Sequence, residues 1–319
     1  MLSSNRGVSG TMLRLVYASK LKGFLQSSSL GHSKLFYVSI LIYRNHLKIA
    51  AHLNFIRDGL MKVHEEIYRP ENIYRWNDPA GRAYYGDESV YIDRLADRTL
   101  MKLVKERYDR YTYISEESGI EVAGNNGFHI LVDPIDGSTN ARRGVPLFAT
   151  TIAVASGNRY QDIFAAGLMY HTTGDLIWGY KANAFFNWRK IKFRDDSNVH
   201  MTMIGFTANM RGGRVELFKL IQEVGYPRIF GATAVEIALI LNQSMDAYVS
   251  YPVGTRPFDF MPSLFLVQQA GGKAISLSKY PISDIPLDAM GRFPLIVALN
   301  LATLNRLLDI LKVKGKPGF

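Results

Sequence analysis

Asp133-Pro134-Ile135-Asp136-Gly137-Ser138 sets two carboxylates three positions apart around a proline, followed at once by a glycine and a hydroxyl. The approach, His129-Ile130-Leu131-Val132, reads as a buried strand, so the acids are expected where a strand ends and a turn begins. Clustered negative charge beside a buried strand is unfavourable unless a cation sits within it. Hard divalent cations such as Mg²⁺ take one or two carboxylates, with waters and substrate phosphate completing the shell. A phosphate can in turn be cradled by the backbone N–H groups of a Gly/Ser/Thr turn that opens a helix. The stretch reads as metal and phosphate side by side.

Three further acidic elements stand at ends of expected units. Asp93 opens a helix, Glu116 and Glu117 follow a short apolar run, and Asp259 lies between Pro257 and an apolar helix expected from Pro262. Each has a plain reading alone: Asp93 and Asp259 as helix N-caps, Glu116-Glu117 as a solvated turn. Acids at strand C-termini and helix N-termini can also converge on one cleft.

The elements that must position them follow from hydrophobic spacing. Ile49, Leu53, Ile56, Leu60, Val63 and Ile67 mark one amphipathic helix, and Ile92, Leu95, Ala96, Leu100, Leu103 and Val104 a second. Short apolar runs closed by turn residues follow at 111–115, 128–132, 148–155, 163–170, 176–180 and 184–188, as expected of a meander. After a polar patch at 194–198 the pattern changes. Strands at 201–206, 227–230, 247–250 and 295–299 alternate with helices at 215–224, 235–241, 262–270 and 302–313. The expected organisation is a basic extension over 1–45, a metal-binding α+β domain over 46–195 and an α/β domain over 196–319.

Composition narrows the chemistry. The 319 residues include no cysteine, which excludes disulfides, thiolate zinc sites and cysteine nucleophiles and fits a reducing compartment. A metal must therefore be held by oxygen or histidine. The net charge of +10 suggests an anionic partner. Its distribution argues otherwise: eight of the 38 Lys/Arg lie before the first acid, Asp58, which leaves 30 basic against 28 acidic residues in the rest. Neither a nucleic-acid nor a membrane function is expected. The basic, serine-rich start has the composition of a transit peptide. An extension from a misassigned start codon, or an arm peculiar to this chain, fits better. Its apolar run from Leu35 to Tyr43 is far short of the ~20 residues a membrane helix needs.

Taken in order, these residues resemble the inositol monophosphatase and fructose-1,6-bisphosphatase superfamily of metal-dependent, lithium-sensitive phosphatases. The resemblance runs from about residue 47 to 312 and rests on Glu116-Glu117, Asp133 through Ser138, Phe258-Asp259 and Gln269-Ala270-Gly271-Gly272. Gly86-Asp87, Ile92-Asp93, Asn140-Ala141, Gly144-Val145-Pro146, Gly231 through Glu236 and Arg256 through Asp259 are similar to the archaeal branch, whose members often hydrolyse both fructose 1,6-bisphosphate and inositol monophosphate. There are departures. Phe258 stands where the family usually has Trp, and Ser138 where it has Thr. Ser250 follows Asp246-Ala247-Tyr248-Val249 where inositol-selective members carry a Glu.

The resemblance implies an α/β fold with an α+β N-terminal part, layered as an αβαβα sandwich, and a cytoplasmic homodimer. It implies two or three Mg²⁺ ions, with Mn²⁺ as an alternative. Glu116, Asp133 and the Ile135 carbonyl would hold the first. Asp133, Asp136 and Asp259 would hold the second, and Glu116 with Asp93 a weaker third. Ser138, backed by Glu116 or Asp93, would orient the attacking water, and the N–H groups of Gly137, Ser138 and Thr139 would cradle the phosphate. Asp136, or a water on the second ion, would assist the departing alkoxide. Gly231, Ala232 and Thr233 would contact substrate hydroxyls, and Arg256 would meet a second phosphate or pair at the cleft rim. Arg142 and Arg143 read as surface charge, His129 and His171 as structural. The expected function is hydrolysis of fructose 1,6-bisphosphate, inositol monophosphate or both. The alternatives are a 3′-phosphoadenosine 5′-phosphate phosphatase, or a binding protein that keeps the fold without catalysis.

Overall fold

The computed structural model describes residues 32–193, 197–207 and 215–312. The expected extension over 1–45 lies largely outside them, as does most of the polar patch at 194–198. The chain divides into two units, Met1–Ala51 and His52–Phe319, and the fold below is that of the larger one.

The elements run α1 (His32–Ile67), α2 (Pro70–Ile73), β1 (Pro79–Arg82), β2 (Glu88–Val90), α3 (Tyr91–Arg107), β3 (Tyr111–Ser115), β4 (Gly119–Ala123), β5 (Phe128–Asp136), α4 (Ser138–Arg143), β6 (Ala149–Ala155), β7 (Ile163–Tyr170), β8 (Leu176–Tyr180), β9 (Asn183–Phe186) and β10 (Arg189–Ile191). There follow β11 (Met203–Phe206), α5 (Val215–Glu223), β12 (Tyr226–Arg228), α6 (Thr233–Ala238), β13 (Ala247–Thr255), α7 (Pro257–Gln269), β14 (Lys273–Ser276), β15 (Phe293–Ala298) and α8 (Leu301–Leu311). Among the described residues, one sheet has the order β10-β9-β8-β7-β6-β5-β3-β4 and a second the order β12-β11-β13-β15-β14. The run β5 to β9 is the expected meander, β10 extends it, and β3, expected as its first strand, instead pairs parallel to β5.

Strand alternation sorts the side chains into layers. Tyr113, Ile130, Val132, Ile152 and Val154 face one way and pack with Phe55, Leu60 and Val63 of α1 and Ile92, Ala96 and Leu100 of α3. Ile114, Leu131, Ala149 and Ala153 face the other way, toward α6 and α7. Tyr248, Leu295 and Val297 reach the same middle core from the second sheet. Their neighbours Ala247, Val249 and Ile296 face outward onto Leu217 and Leu220 of α5 and Leu304 and Leu307 of α8. The result is the αβαβα sandwich. Helix α1 lies close on its sheet because position 167 has no side chain: a Cβ at Gly167 would meet Ile56 Cγ2 at 2.5 Å and Leu60 Cδ1 at 3.0 Å.

Two expectations need correction. Helix α7 begins at Pro257, five residues before the expected Pro262, so Asp259 sits in its first turn and not ahead of it. Pro257 takes the first helical position, where a missing N–H costs nothing. Pro262, read as a start, is tolerated inside. Strand β5 also continues through Asp136 instead of ending at Val132.

Leu60→Ala, in the fully buried face of α1, is expected to destabilise the protein by about 2–5 kcal/mol. The neighbouring Met61→Ala, at a side chain 44% exposed, is expected to stay within about 0.5 kcal/mol. Urea denaturation of the two variants checks the difference.

Candidate active site

Asp133 and Asp136 are an odd number of positions apart, and on a regular strand they would face opposite sides of the sheet. They do not, because β5 is bulged. Asp133 pairs with Thr151 of β6 and Asp136 with Ala149, so Pro134 and Ile135 together oppose Thr150 alone. Parity flips at the extra residue. Ile135 joins Ile130 and Val132 in the core beneath α1 and α3, and both aspartates turn to the middle layer. There Asp136 Oδ2 accepts the Val235 N–H of α6 at 2.8 Å.

The turn after the bulge needs glycine. Gly137 is left-handed (φ +83), and a Cβ there would lie 2.8 Å from the Leu147 carbonyl oxygen and 3.0 Å from Ala232 Cβ. It caps α4, whose Ser138 Oγ donates to the Ile135 carbonyl at 2.9 Å. Asn140 Nδ2 donates to both Leu147 and Phe230 carbonyls at 2.8 Å, which ties this turn to the Gly231–Thr233 segment.

The other acids arrive from separate elements. Glu116 follows β3, and Asp259 Oδ2 accepts from Thr255 Oγ1 at 2.7 Å and from the Arg256 N–H at 3.0 Å. One carboxylate oxygen each from Glu116, Asp133 and Asp259 lie within 4.8 Å of one another. Asp136 stands outside this tightest group but interacts with Asp133 and Asp259. Asp93, in the first turn of α3, accepts the Val90 N–H at 3.1 Å and neighbours Glu116. The five carboxylates named as ligands converge; Ile135 offers only its carbonyl.

Their charges are poorly compensated. Burial first, then the Glu116, Asp136, Asp259 and Asp93 charges, hold Asp133 well above the usual carboxylate range. Burial, then Asp259, Glu117 and Asp93, does the same to Glu116. Asp136 is pushed up to about 7 by burial, against the pull of the Val235 N–H. Asp259 and Asp93 are raised, again mainly by burial. Asp133 Oδ1 and Asp93 Oδ1 are buried and lack a hydrogen-bond partner within the described structure. Unpartnered buried carboxylate oxygens among repelling acids fit hard divalent cations, and an all-oxygen donor set fits Mg²⁺, Ca²⁺ or Mn²⁺.

The substrate-side candidates are placed less uniformly. Arg256 pairs with Asp87, lies 3.6 Å from Glu116 Oε1 and rests near the rings of Tyr85 and Phe258, so the rim salt bridge is present. The Gly231 N–H is occupied by Glu236 Oε1 at 3.0 Å, and Thr233 Oγ1 meets the Tyr248 hydroxyl at 3.2 Å. Ala232 is buried against Gly137. Arg142 is exposed as expected, yet its charge still reaches Asp93. Glu117 turns away from the ligand group, accepting from Ser89 Oγ at 2.6 Å and pairing with Arg94 at 3.2 Å. Sequence reasoning missed Glu236, buried and pushed up to about 8 chiefly by desolvation. The signals for it were its place in the first turn of α6 and at the end of the Gly231–Glu236 stretch, where it was given no role.

The family model for the inositol monophosphatase family matches residues 80–303, a span that contains every one of these acids. The chain belongs to the inositol monophosphatase family. It is a phosphoric monoester hydrolase of a metal-dependent family that acts on small-molecule phosphate esters. The fructose-1,6-bisphosphatase/inositol-1-monophosphatase of Archaeoglobus fulgidus is 27% identical over 229 residues, 71% of this chain and 85% of that one. The fold matches the extragenic suppressor protein SuhB from Bartonella henselae (TM-score 0.68, 22% identity, 83% of this chain and 99% of that one). It also matches a solved inositol monophosphatase-fructose 1,6 bisphosphatase (TM-score 0.66, 24% identity, 82% and 98%). No described helix is long and apolar enough to cross a membrane.

The pKa shifts fix the sign of a pH effect. A carboxyl raised in the folded state binds its proton more tightly there than in the unfolded chain, so the stability it contributes is lost as pH rises through the folded value. With Asp136 moved from 3.8 to about 7 and Glu236 from 4.5 to about 8, that window spans about 4 to 8. Metal-free protein in EDTA is expected to show a falling Tm between pH 5 and 8, and saturating Mg²⁺ is expected to restore the part that Asp136 contributes. A metal-free Tm that rises across this range would contradict the shifts.

Proposed function

We propose that this chain is a Mg²⁺-dependent phosphatase of sugar or cyclitol phosphates, acting on fructose 1,6-bisphosphate, inositol monophosphate or both. The single observation that carries the reading is the convergence of Glu116, Asp133 and Asp259, with one oxygen of the buried Asp133 left without a partner. Glu116, Asp133 and the Ile135 carbonyl would hold one ion; Asp133, Asp136 and Asp259 would hold another; Glu116 and Asp93 offer a weaker third place. Bound there, divalent cations supply a water nucleophile at neutral pH and charge stabilisation at the phosphoryl oxygens.

The chain's own groups do the remaining work. The Ser138 hydroxyl, between the Ile135 carbonyl and the Asp93 side, orients the attacking water, and Asp93 or Glu116 takes its proton. The first N–H groups of α4, at Ser138 and Thr139, have no intrahelical acceptor and, with Gly137, serve the phosphate. Asp136 lies on the leaving-group side and assists the departing alkoxide. Gly231 and Thr233 line the substrate's approach, with Ala232 packed behind them against Gly137. Arg256, held by Asp87, favours a substrate with a second phosphate when one displaces that carboxylate. The absence of a Glu at Ser250 favours the bisphosphate over inositol monophosphate. Oligomeric assembly as a homodimer and action in the cytoplasm belong to the same reading.

Phosphate release from fructose 1,6-bisphosphate, inositol monophosphate and 3′-phosphoadenosine 5′-phosphate tests the proposal. Release from the first two with Mg²⁺, none with EDTA, and inhibition by millimolar Li⁺ are expected. Release from the adenosine compound alone would favour the nucleotide phosphatase, and none from any would sink the phosphatase reading. Asp133→Asn is expected to lower kcat by more than about 100-fold, beyond the range seen for groups one shell out.

A further inference from the structure

The peptide at the centre of the bulge is held from behind. Pro134 and Ile135 of β5 oppose Thr150 alone, so the regular ladder is interrupted at this peptide. Thr150 is fully buried, and its Oγ1 donates to that carbonyl at 2.5 Å. A hydroxyl has one proton to give. Toward its other neighbour, Nε2 of His171 at 2.7 Å, Thr150 must therefore be the acceptor, and Nε2 carries the hydrogen.

His171 is 1% exposed. Burial and the nearby His64 push it down to about 3, so the ring is neutral at working pH with a single N–H. Its Nδ1 is then a lone pair, and it faces Nδ1 of His64 at a longer 3.4 Å across nearly parallel rings. On the opposite side of the bulge the next carbonyl, Ile135, is fixed by Ser138. The two successive peptides of the acid motif are thus each anchored by one hydroxyl.

Packing alone does not ask for these groups. The even positions of β6 face an apolar layer that holds Ile152 and Val154 together with Phe148, the residue before the strand. A hydroxyl and an imidazole there are unfavourable unless each is bonded, and the bonds they make end on the acid motif.

We propose that Thr150 and His171 are positioning residues for the acid site, fixing the Pro134–Ile135 peptide so that Asp133 and Asp136 stay on one face at the separation a divalent cation requires. The inference rests on the metal reading above, and Mn²⁺ binding to the metal-stripped full-length chain, followed by electron paramagnetic resonance, separates the two. Thr150→Val keeps the shape and removes the hydroxyl, and it is expected to raise the Mn²⁺ Kd 10- to 100-fold, the range typical of groups behind the ligands. Thr150→Ser keeps the hydroxyl and is expected to stay within about threefold of wild type.

A Thr150→Val protein with a lowered Tm but a wild-type Kd would show a purely structural role and overturn the inference. If Thr150→Val does not fold, His171→Phe carries the test: it leaves the hydroxyl in place but removes the donor that directs it. A Kd raised at least about threefold supports positioning, and a wild-type Kd overturns it. Wild-type protein that binds no Mn²⁺ would overturn the metal reading and this inference with it.

Discussion

A strand turns successive side chains to opposite faces, yet this protein turns two carboxylates three positions apart to the same face. The bulge at Pro134–Ile135 resolves that conflict, and the rest of the structure depends on it. Without the extra residue Asp136 would point beneath α1 and α3 into an apolar core. With it, Asp136 reaches α6, Asp133 reaches Glu116 and Asp259, and the Ile135 side chain fills the place the aspartate vacates. Proline suits the position, because a bulge tolerates a residue without a ladder N–H.

The second constraint is electrostatic. Five carboxylates drawn into one cleft repel each other, and burial raises every one of them. The fold relieves part of this with backbone. Asp93 and Asp259 sit in the first turns of α3 and α7, and Asp136 accepts from the first turn of α6, where helix dipoles favour negative charge. Three helices from two layers thus aim their N-termini at one region. The relief is partial, since Asp133 Oδ1 and Asp93 Oδ1 stay unpartnered. A site built with negative charge in excess of its own cations suits a function that brings positive charge in with the substrate.

Much of this was legible in the sequence. The acid motif, the meander and the later alternation of strands and helices all show in residue spacing, because each buried face repeats with the period of its element. Other parts were not. The strands Gly119–Ala123 and Lys273–Ser276 were not read, since each is short and half exposed and carries no apolar run. The start of α7 differs from the expected one because Pro262 reads as a boundary, although it stands inside the helix. The bulge was invisible because it is a property of two strands in register, and only one of them was in view at the motif. Thr150 and His171 were hidden for the same reason: their bonds join residues 16 and 21 positions apart. Within the site, the ligand acids were legible by type and order. The arrangement around Arg256, which meets Asp87 across 169 positions, was not.

The most direct measurement is an anomalous difference map from crystals of the protein soaked in Mn²⁺. Peaks bounded by Glu116, Asp133, Asp136 and Asp259 are expected, with Asp133 shared between ions and the Ile135 carbonyl among the ligands. Peaks only at other surface acids, with Asp133 and Asp136 unliganded, would contradict the metal reading.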